Sequence, residues 1–189
     1  MHANPVIEML GRPLRLAVIG GGPGSFIGAM HRTAARLDGR YELVAGVVST
    51  DAERSRLAAA EMGIDPSRAY ADAMAMLDAE HEREDGADVV AIMTPNDSHH
   101  RYALVALDRG FDVICDKPMT NTLDEALDIV AKVEATGQVF CLTHNYTGYS
   151  MVRQARALVE DGQVGEIRLI QVEYVQGLSL IHISEPTRR

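Results

Sequence analysis

Short apolar runs alternate along this chain with stretches whose apolar residues recur every three or four positions, and glycine separates most of them. Leu14 to Ile19 is mainly apolar and stops at glycine, the pattern of a strand buried on both faces. Ile27, Met30, Ala34 and Leu37 then fall on one helical face, with Gly39 as the stop. Leu43 to Val48 predicts a second strand. Thr50 and Glu53 form a capping-box pattern for a helix that ends near Gly63. Asp72 to about Glu84 predicts a third helix, Val89 to Met93 a third strand, and Thr94-Pro95-Asn96 a turn at its carboxyl end. Ser98 to Arg109 is helical with Gly110 after it, and Phe111 to Cys115 is the fourth strand. Thr122 and Glu125 open a helix that stops at Gly137. Val139 to Thr143 is a fifth strand, and Met151 to Glu160 a further helix.

Strand, helix, strand with short connections implies right-handed crossovers and a parallel sheet covered on both faces. In such sheets ligands bind beyond the carboxyl ends of the strands. The turn Gly20-Gly21-Gly22-Pro23-Gly24, the turn Thr94 to Asn96, and Asp116-Lys117-Pro118 all fall at carboxyl ends. They are expected to converge on one crevice.

Charge narrows the ligand. The net charge is −9, from 27 acids against 18 bases, so nucleic acid is not an expected partner. An anionic cofactor stays open, because a backbone nest or a helix N-terminus acts locally. Cys115 and Cys141 both lie in strand patterns and read as reduced core thiols of a cytoplasmic protein. Met1 to Leu10 shows no secretory pattern, and no apolar run approaches the roughly 20 residues that span a bilayer. His99 and His100 are adjacent on a helix and point apart, so no metal is expected.

The glycine turn does not match the strict G-x-G-x-x-G spacing; its nearest fit, Gly22-Pro23-Gly24 followed by Gly28, is one residue longer. The mechanism survives: glycines let backbone approach a pyrophosphate, and the helix N-terminus faces the anion. Gly20, Gly22, Pro23, Gly24, Ser25, Phe26 and Ile27 are the expected cradle. At the end of the second strand an acid would bind a ribose hydroxyl and favour NAD. Here Ser49 and Thr50 stand there, with Arg54 following, which suits a 2′-phosphate; Asp51 argues the other way. The cofactor is NADP or NAD, with the balance leaning to NADP. Lys117, between an acid and a proline after a buried strand, is placed for proton chemistry.

These residues resemble the Gfo/Idh/MocA family, the group of glucose–fructose oxidoreductase and inositol dehydrogenase. The resemblance rests on the glycine turn, Thr94-Pro95-Asn96 with His99, Lys117-Pro118, and His144-Asn145-Tyr146. The family's Glu-Lys-Pro reads Asp116-Lys117-Pro118 here, which keeps the charge and shortens its reach. The resemblance implies a Rossmann-type doubly wound parallel sheet of the α/β class, followed by the first strand of a truncated α+β second domain. It implies that Lys117 is the active-site lysine beside the nicotinamide and the substrate hydroxyl, and that Pro118 fixes the turn, with a cis bond fitting there. Thr94, Pro95, Asn96, Asp116, Lys117 and Pro118 would line the dinucleotide, His99 would cap or contact it, and Asn145 and Tyr146 would lie on the substrate side. Substrates of the family are sugars, cyclitols and their derivatives, oxidised by hydride transfer at a carbinol carbon.

The expected domains are 1–146 for the dinucleotide and 147–177 for the start of a substrate and oligomerisation domain. In that second stretch Ile167 to Val175 alternates like a half-exposed strand. Residues 178–189 resemble a translated sequencing adapter and are expected to be a non-native tail. The expectation is an oxidoreductase whose second catalytic segment is missing, so that this stretch lacks turnover, and whose parent forms a homo-oligomer through the missing domain. The alternatives are a non-catalytic dinucleotide-sensing regulator on the same fold, or another two-domain reductase.

Overall fold

A computed structural model describes residues 4–173. Leu14–Gly20 (β1), Tyr41–Val47 (β2), Val89–Met93 (β3), Asp112–Cys115 (β4) and Phe140–Leu142 (β5) form one sheet in the order β2-β1-β3-β4-β5. Every neighbouring pair is parallel. The connections carry helices Phe26–Leu37 (α2), Ala52–Glu61 (α3), Ala73–Glu82 (α4), His99–Asp108 (α5) and Leu123–Thr136 (α6), after a short opening helix Pro5–Leu10 (α1). Ser150–Glu160 (α7) follows the sheet.

Alternation within the strands divides the core between two faces. Ala17 and Ile19 of β1 join Val90 and Ile92 of β3 in one cluster, closed by Met76, Leu77, Leu107 and Ile129. Leu16 and Val18 join Val89, Ala91 and Met93 in the other, closed by Ala59 and Ile64. Each fully buried Leu, Ile or Val contributes about 1.5–3 kcal/mol by leaving water. This is a doubly wound sheet whose order reverses at β1, so the crevice lies beyond the carboxyl ends of β1 and β3.

The amino end of β3 is pinned by charge. Arg12 grips Asp88 with two bonds of 2.6 and 2.9 Å, and Asp88 also accepts from the Arg15 amide at 2.7 Å. Burial pushes the Asp88 carboxyl up, but the bonds from Arg12 and Arg15 outweigh it and hold the group below its ordinary value. Behind it, buried Glu80 accepts from Arg68, from the Tyr70 hydroxyl at 2.9 Å and from the Ala87 amide at 3.0 Å. Burial, then the bond to Glu80, pushes the Tyr70 phenol up to about 12.

Several details differ from the sequence reading. Strand β2 begins at Tyr41, because its ladder with β1 pairs Leu14 with Tyr41 through the polar Glu42. Helix α3 is capped by Asp51, whose carboxylate accepts from the Arg54 amide at 2.8 Å; Thr50, the expected cap, is displaced by a better acceptor one residue on. The covered face of α2 is buried Gly28 with half-buried Ile27, His31, Arg32 and Ala35, whereas Met30 and Leu37 are exposed. Cys115 is buried as expected, but Cys141 is exposed on the edge strand β5. The opening helix was not legible in the pattern: it has one turn and a half, started by Asn4 accepting from Val6 and by Pro5 at its first position.

The chain divides into two compact units, Met1–His144 and Asn145–Arg189. In the second, residues Asn145–Gly148 make a single 3₁₀ turn, the Tyr146 and Tyr149 rings meet edge-on at 5.4 Å, and α7 carries an Arg156–Glu160 pair at 2.7 Å. The strand expected over Ile167 to Val175 does not form over residues 167–173, which are exposed and irregular. Alternation defines a face, but a strand needs a ladder partner, and among the described residues none pairs with it. Val175, and the adapter-like stretch 178–189, lie outside the described residues. Among the described residues no helix is long and apolar enough to cross a membrane.

Candidate functional site

Register brings the three turns together. Gly20 pairs with Met93, and Ile92 pairs with Cys115, so the Gly20–Gly24, Thr94–Asn96 and Asp116–Pro118 turns leave adjacent strands side by side. The glycine turn is shaped by close backbone approach. A side chain at Gly22 would strike the Val48 carbonyl, and one at Gly28 would strike the Gly21 carbonyl. Gly28 is thereby the residue that lets α2 start against the turn, while Ser25 caps that helix, accepting from the Gly28 amide at 3.1 Å. Gly24 turns with φ 85°, and no atom stands within 4 Å of the position where its side chain would be. This is a helix N-terminus fronted by bare backbone, which fits a pyrophosphate. Arg32 donates to the Gly21 carbonyl and fixes the turn from within the helix.

At the end of β2, Gly22, Pro23, Ser49 and Arg54 line a cleft of ≈ 240 Å³ together with Leu57, Ala58 and Glu61. Asp51 is held as the cap of α3, and the Ser49 hydroxyl accepts from its amide at 3.2 Å. Thr50 is exposed beside them. A larger hollow, ≈ 580 Å³, is lined by Arg32, Arg36, Tyr41 and Glu61 among others, and none of the residues of the Lys117 turn borders it.

The Lys117 turn is braced from several elements. Lys117 and Pro118 are exposed, and the bond between them is cis. Asp116 accepts from His31 Nε2 at 3.1 Å and from the Thr143 hydroxyl at 2.8 Å, so the acid points back toward α2 and β5. Burial pushes its carboxyl up, and the bonds from His31 and Thr143 more than offset this, leaving it below its ordinary value. Asp116 thereby ties the Lys117 turn to α2 and to the end of β5. The neighbouring Cys115 thiol is pushed up to about 12 by burial and then by the Asp116 charge, and is inert.

The sequence reading placed His99 against the dinucleotide. The structure buries it at 1% exposure, with Nδ1 2.8 Å from the Pro118 carbonyl and Nε2 2.9 Å from the Thr94 carbonyl. The ring is held between the turn after β3 and the Lys117 turn. Thr94, half-buried, accepts from the Ser98 hydroxyl at 2.7 Å, and Pro95 and Asn96 are exposed at the rim. Phe26 is 78% exposed at the helix start, and Ile27 is half-buried behind it. Asn145 and Tyr146 belong to the second unit, in its opening turn, and both are exposed. Sequence reasoning missed His31, Arg32 and Thr143. They lie 85, 11 and 27 positions from the turn residues they hold, and a polar side chain carries no mark of its partner in the sequence.

A glycine-cradled crevice at the switch point of a doubly wound parallel sheet defines a dinucleotide-binding α/β unit. The model of the oxidoreductase family with an NAD-binding Rossmann fold, Gfo/Idh/MocA, matches residues 14–146, and the chain belongs to that family. It is 37% identical over 171 residues to the uncharacterized oxidoreductase YfiI of Bacillus subtilis, covering 90% of this chain and 44% of that protein. It is 35% identical over 150 residues to D-apiose dehydrogenase of Paraburkholderia graminis, covering 79% of this chain and 37% of that one. Among solved structures it resembles the inositol dehydrogenase homolog of Azotobacter vinelandii complexed with NADH and myo-inositol. There the TM-score is 0.80 and the identity 39%, over 83% of this chain and 41% of that one. The chain thus spans less than half the length of these relatives.

Proposed function

We propose that this chain is the dinucleotide-binding part of an NAD(P)-dependent dehydrogenase that oxidises a carbinol of a sugar, cyclitol or derivative. The observation that carries the reading is the meeting of the bare glycine turn and the Lys117 turn on neighbouring strands of one sheet. The relatives that act on D-apiose or hold myo-inositol support the substrate class. Gly22, Gly24 and Ser25 would hold the pyrophosphate, and Thr94, Pro95 and Asn96 the rim toward the nicotinamide. The dinucleotide supplies the hydride acceptor. Lys117 takes the hydroxyl proton as the carbinol hydride departs, and returns it in reduction. Asn145 and Tyr146 are assigned to the substrate side.

The cofactor preference is NADP. Asp51 is spent on capping α3 and so is withdrawn from a ribose hydroxyl, while Ser49 and Arg54 border the cleft at the end of β2. Titration of the chain with each dinucleotide tests both points. The cofactor reading expects binding, with NADP tighter; tighter NAD overturns the preference, and no binding of either overturns the reading. Turnover of sugars requires substrate-side residues that, in this reading, stand in the part of the relatives this chain does not span. A screen of the 189-residue chain with sugars and inositols is therefore expected to show no hydride transfer.

A further inference from the structure

We propose that His99 is a positioning residue of the cofactor site: it donates from both ring nitrogens at once and ties the turn after β3 to the Lys117 turn after β4. The proposal rests on reading the crevice as the dinucleotide site. Both partners, the carbonyls of Thr94 and Pro118, accept and cannot donate. A neutral imidazole has one N–H, so it satisfies one of them and sets a bare lone pair against the other. Both bonds form together only when each nitrogen carries a proton, and the ring is then an imidazolium.

A buried cation needs a counter-charge, and the Asp116 carboxylate provides one, two residues before the accepting Pro118. The other titratable or charged groups on the elements around the ring are His31 on α2, paired with Asp116, and Lys117 in the turn itself. Asp97 lies in the turn after β3, and His100 of α5 sits beside Asp128 of α6. The ring, its two carbonyls, Asp116 and His31 make a continuous chain from α5 through both turns to α2, the helix whose start forms the pyrophosphate cradle. The geometry therefore couples the rim at Thr94, the lysine at 117 and the cradle at α2 through one side chain that touches none of the reacting atoms.

The test uses the whole 189-residue chain. Nitrogen-15 NMR of its imidazoles at pH 7, with His99 identified by the signals that vanish in His99→Gln, is expected to show both ring nitrogens protonated and slow to exchange. A bare nitrogen on that ring overturns the clamp. Dinucleotide titration then compares the wild type with His99→Gln, which retains a single donor nitrogen, and His99→Phe, which retains volume alone, each checked for folding by circular dichroism. Affinity is expected to fall about tenfold in His99→Gln and further in His99→Phe. Wild-type affinity in folded His99→Phe overturns the positioning role. A structural filler would leave the pH profile of binding unchanged, whereas here wild-type affinity weakens as the ring loses its second proton and that limb is absent from His99→Gln; the same limb in both overturns the proposal. If the wild type binds no dinucleotide, the cofactor reading fails on its own, and the ring's protonation still decides the clamp.

Discussion

The two ends of the sheet each hold an acid beside a strand, and they hold it differently. Asp88, just before β3 at the amino end, is gripped by Arg12 and by the Arg15 backbone. Asp116, just after β4 at the carboxyl end, is held by a histidine and a threonine. The first partner is permanently charged and makes a forked, directional bond. The second set makes one bond from each partner, without the fork of a guanidinium. Behind Asp88 stands the buried Arg68–Glu80–Tyr70 network; beyond Asp116 stand exposed Lys117 and Pro118. One end is built for stability. The other leaves backbone and a lysine exposed, and its acid is held by the bonds from His31 and Thr143.

The comparison breaks most visibly at Glu80. Its side chain is 1% exposed and accepts from Arg68, Tyr70 and Ala87, so Glu80→Ala leaves the buried Arg68 guanidinium with only the 3.8 Å contact to Asp85 and removes the acceptor of the Ala87 amide. Urea denaturation is expected to show a loss of about 3–5 kcal/mol. Dinucleotide affinity of the fraction still folded should be unchanged, and a comparable loss from any exposed residue of the Lys117 turn would erase the contrast. Gly28→Ala is next. Its new methyl meets the Gly21 carbonyl, so the cradle must open, at about 1–3 kcal/mol of overpacking. Unlike Glu80→Ala it is expected to lose dinucleotide binding even while folded, which isothermal titration reads directly.

Much of this contrast was legible in the sequence, but unevenly. The strands announced themselves because a parallel sheet covered on both faces demands unbroken apolar runs, as in Val89 to Met93. The Thr122–Glu125 capping box was visible because it is local: Glu125 reaches back to the amides of Asn121 and Thr122 at 3.1 and 3.2 Å. The carboxyl-end turns were legible because glycine and proline mark special backbone. The long-range bonds were not. Asp116 finds His31 from 85 positions away, and the choice follows from which way α2 is rotated on the sheet. That rotation was misread, because Met30 and Leu37 suggested an apolar stripe, whereas Gly28, His31 and Arg32 form the contact with the turns. Close backbone approach at Gly28, together with Ile27 and Ala35 against the second core cluster, seats this helix. The irregular course of residues 167–173 has the opposite cause, a correct local pattern without a ladder partner among the described residues.

A smaller effect sharpens the comparison through pH. The Asp88 carboxyl lies below its ordinary 3.8 in the folded protein. Its contribution is therefore complete above that ordinary value and is lost as pH falls through the lowered one. Asp88→Asn is expected to cost about 1 kcal/mol at pH 7, discounted because both partners are partly exposed. Below pH 4 the gap between wild type and variant should narrow, since protonation removes the same charge. Denaturation midpoints of both proteins from pH 7 to pH 3 test this, and a gap that widens in acid would mean that Asp88 is not the group being titrated.

The smallest effect is the most telling for the carboxyl end. Lys117 is exposed, and its side chain supports neither core cluster. Lys117→Met keeps the length of the aliphatic stem and deletes the amine, so its stability should stay within about 0.5 kcal/mol of wild type. A large loss would mean that the lysine is part of the brace, as Arg12 is at the other end, and the division between the two ends would fail. A null effect on stability joined to unchanged folding of the Asp116–His31 bond, read from the His31 ring signals by NMR, would mean that the turn is held entirely by the residues around the lysine. The amine would then be free to do proton chemistry, because the fold asks nothing of it.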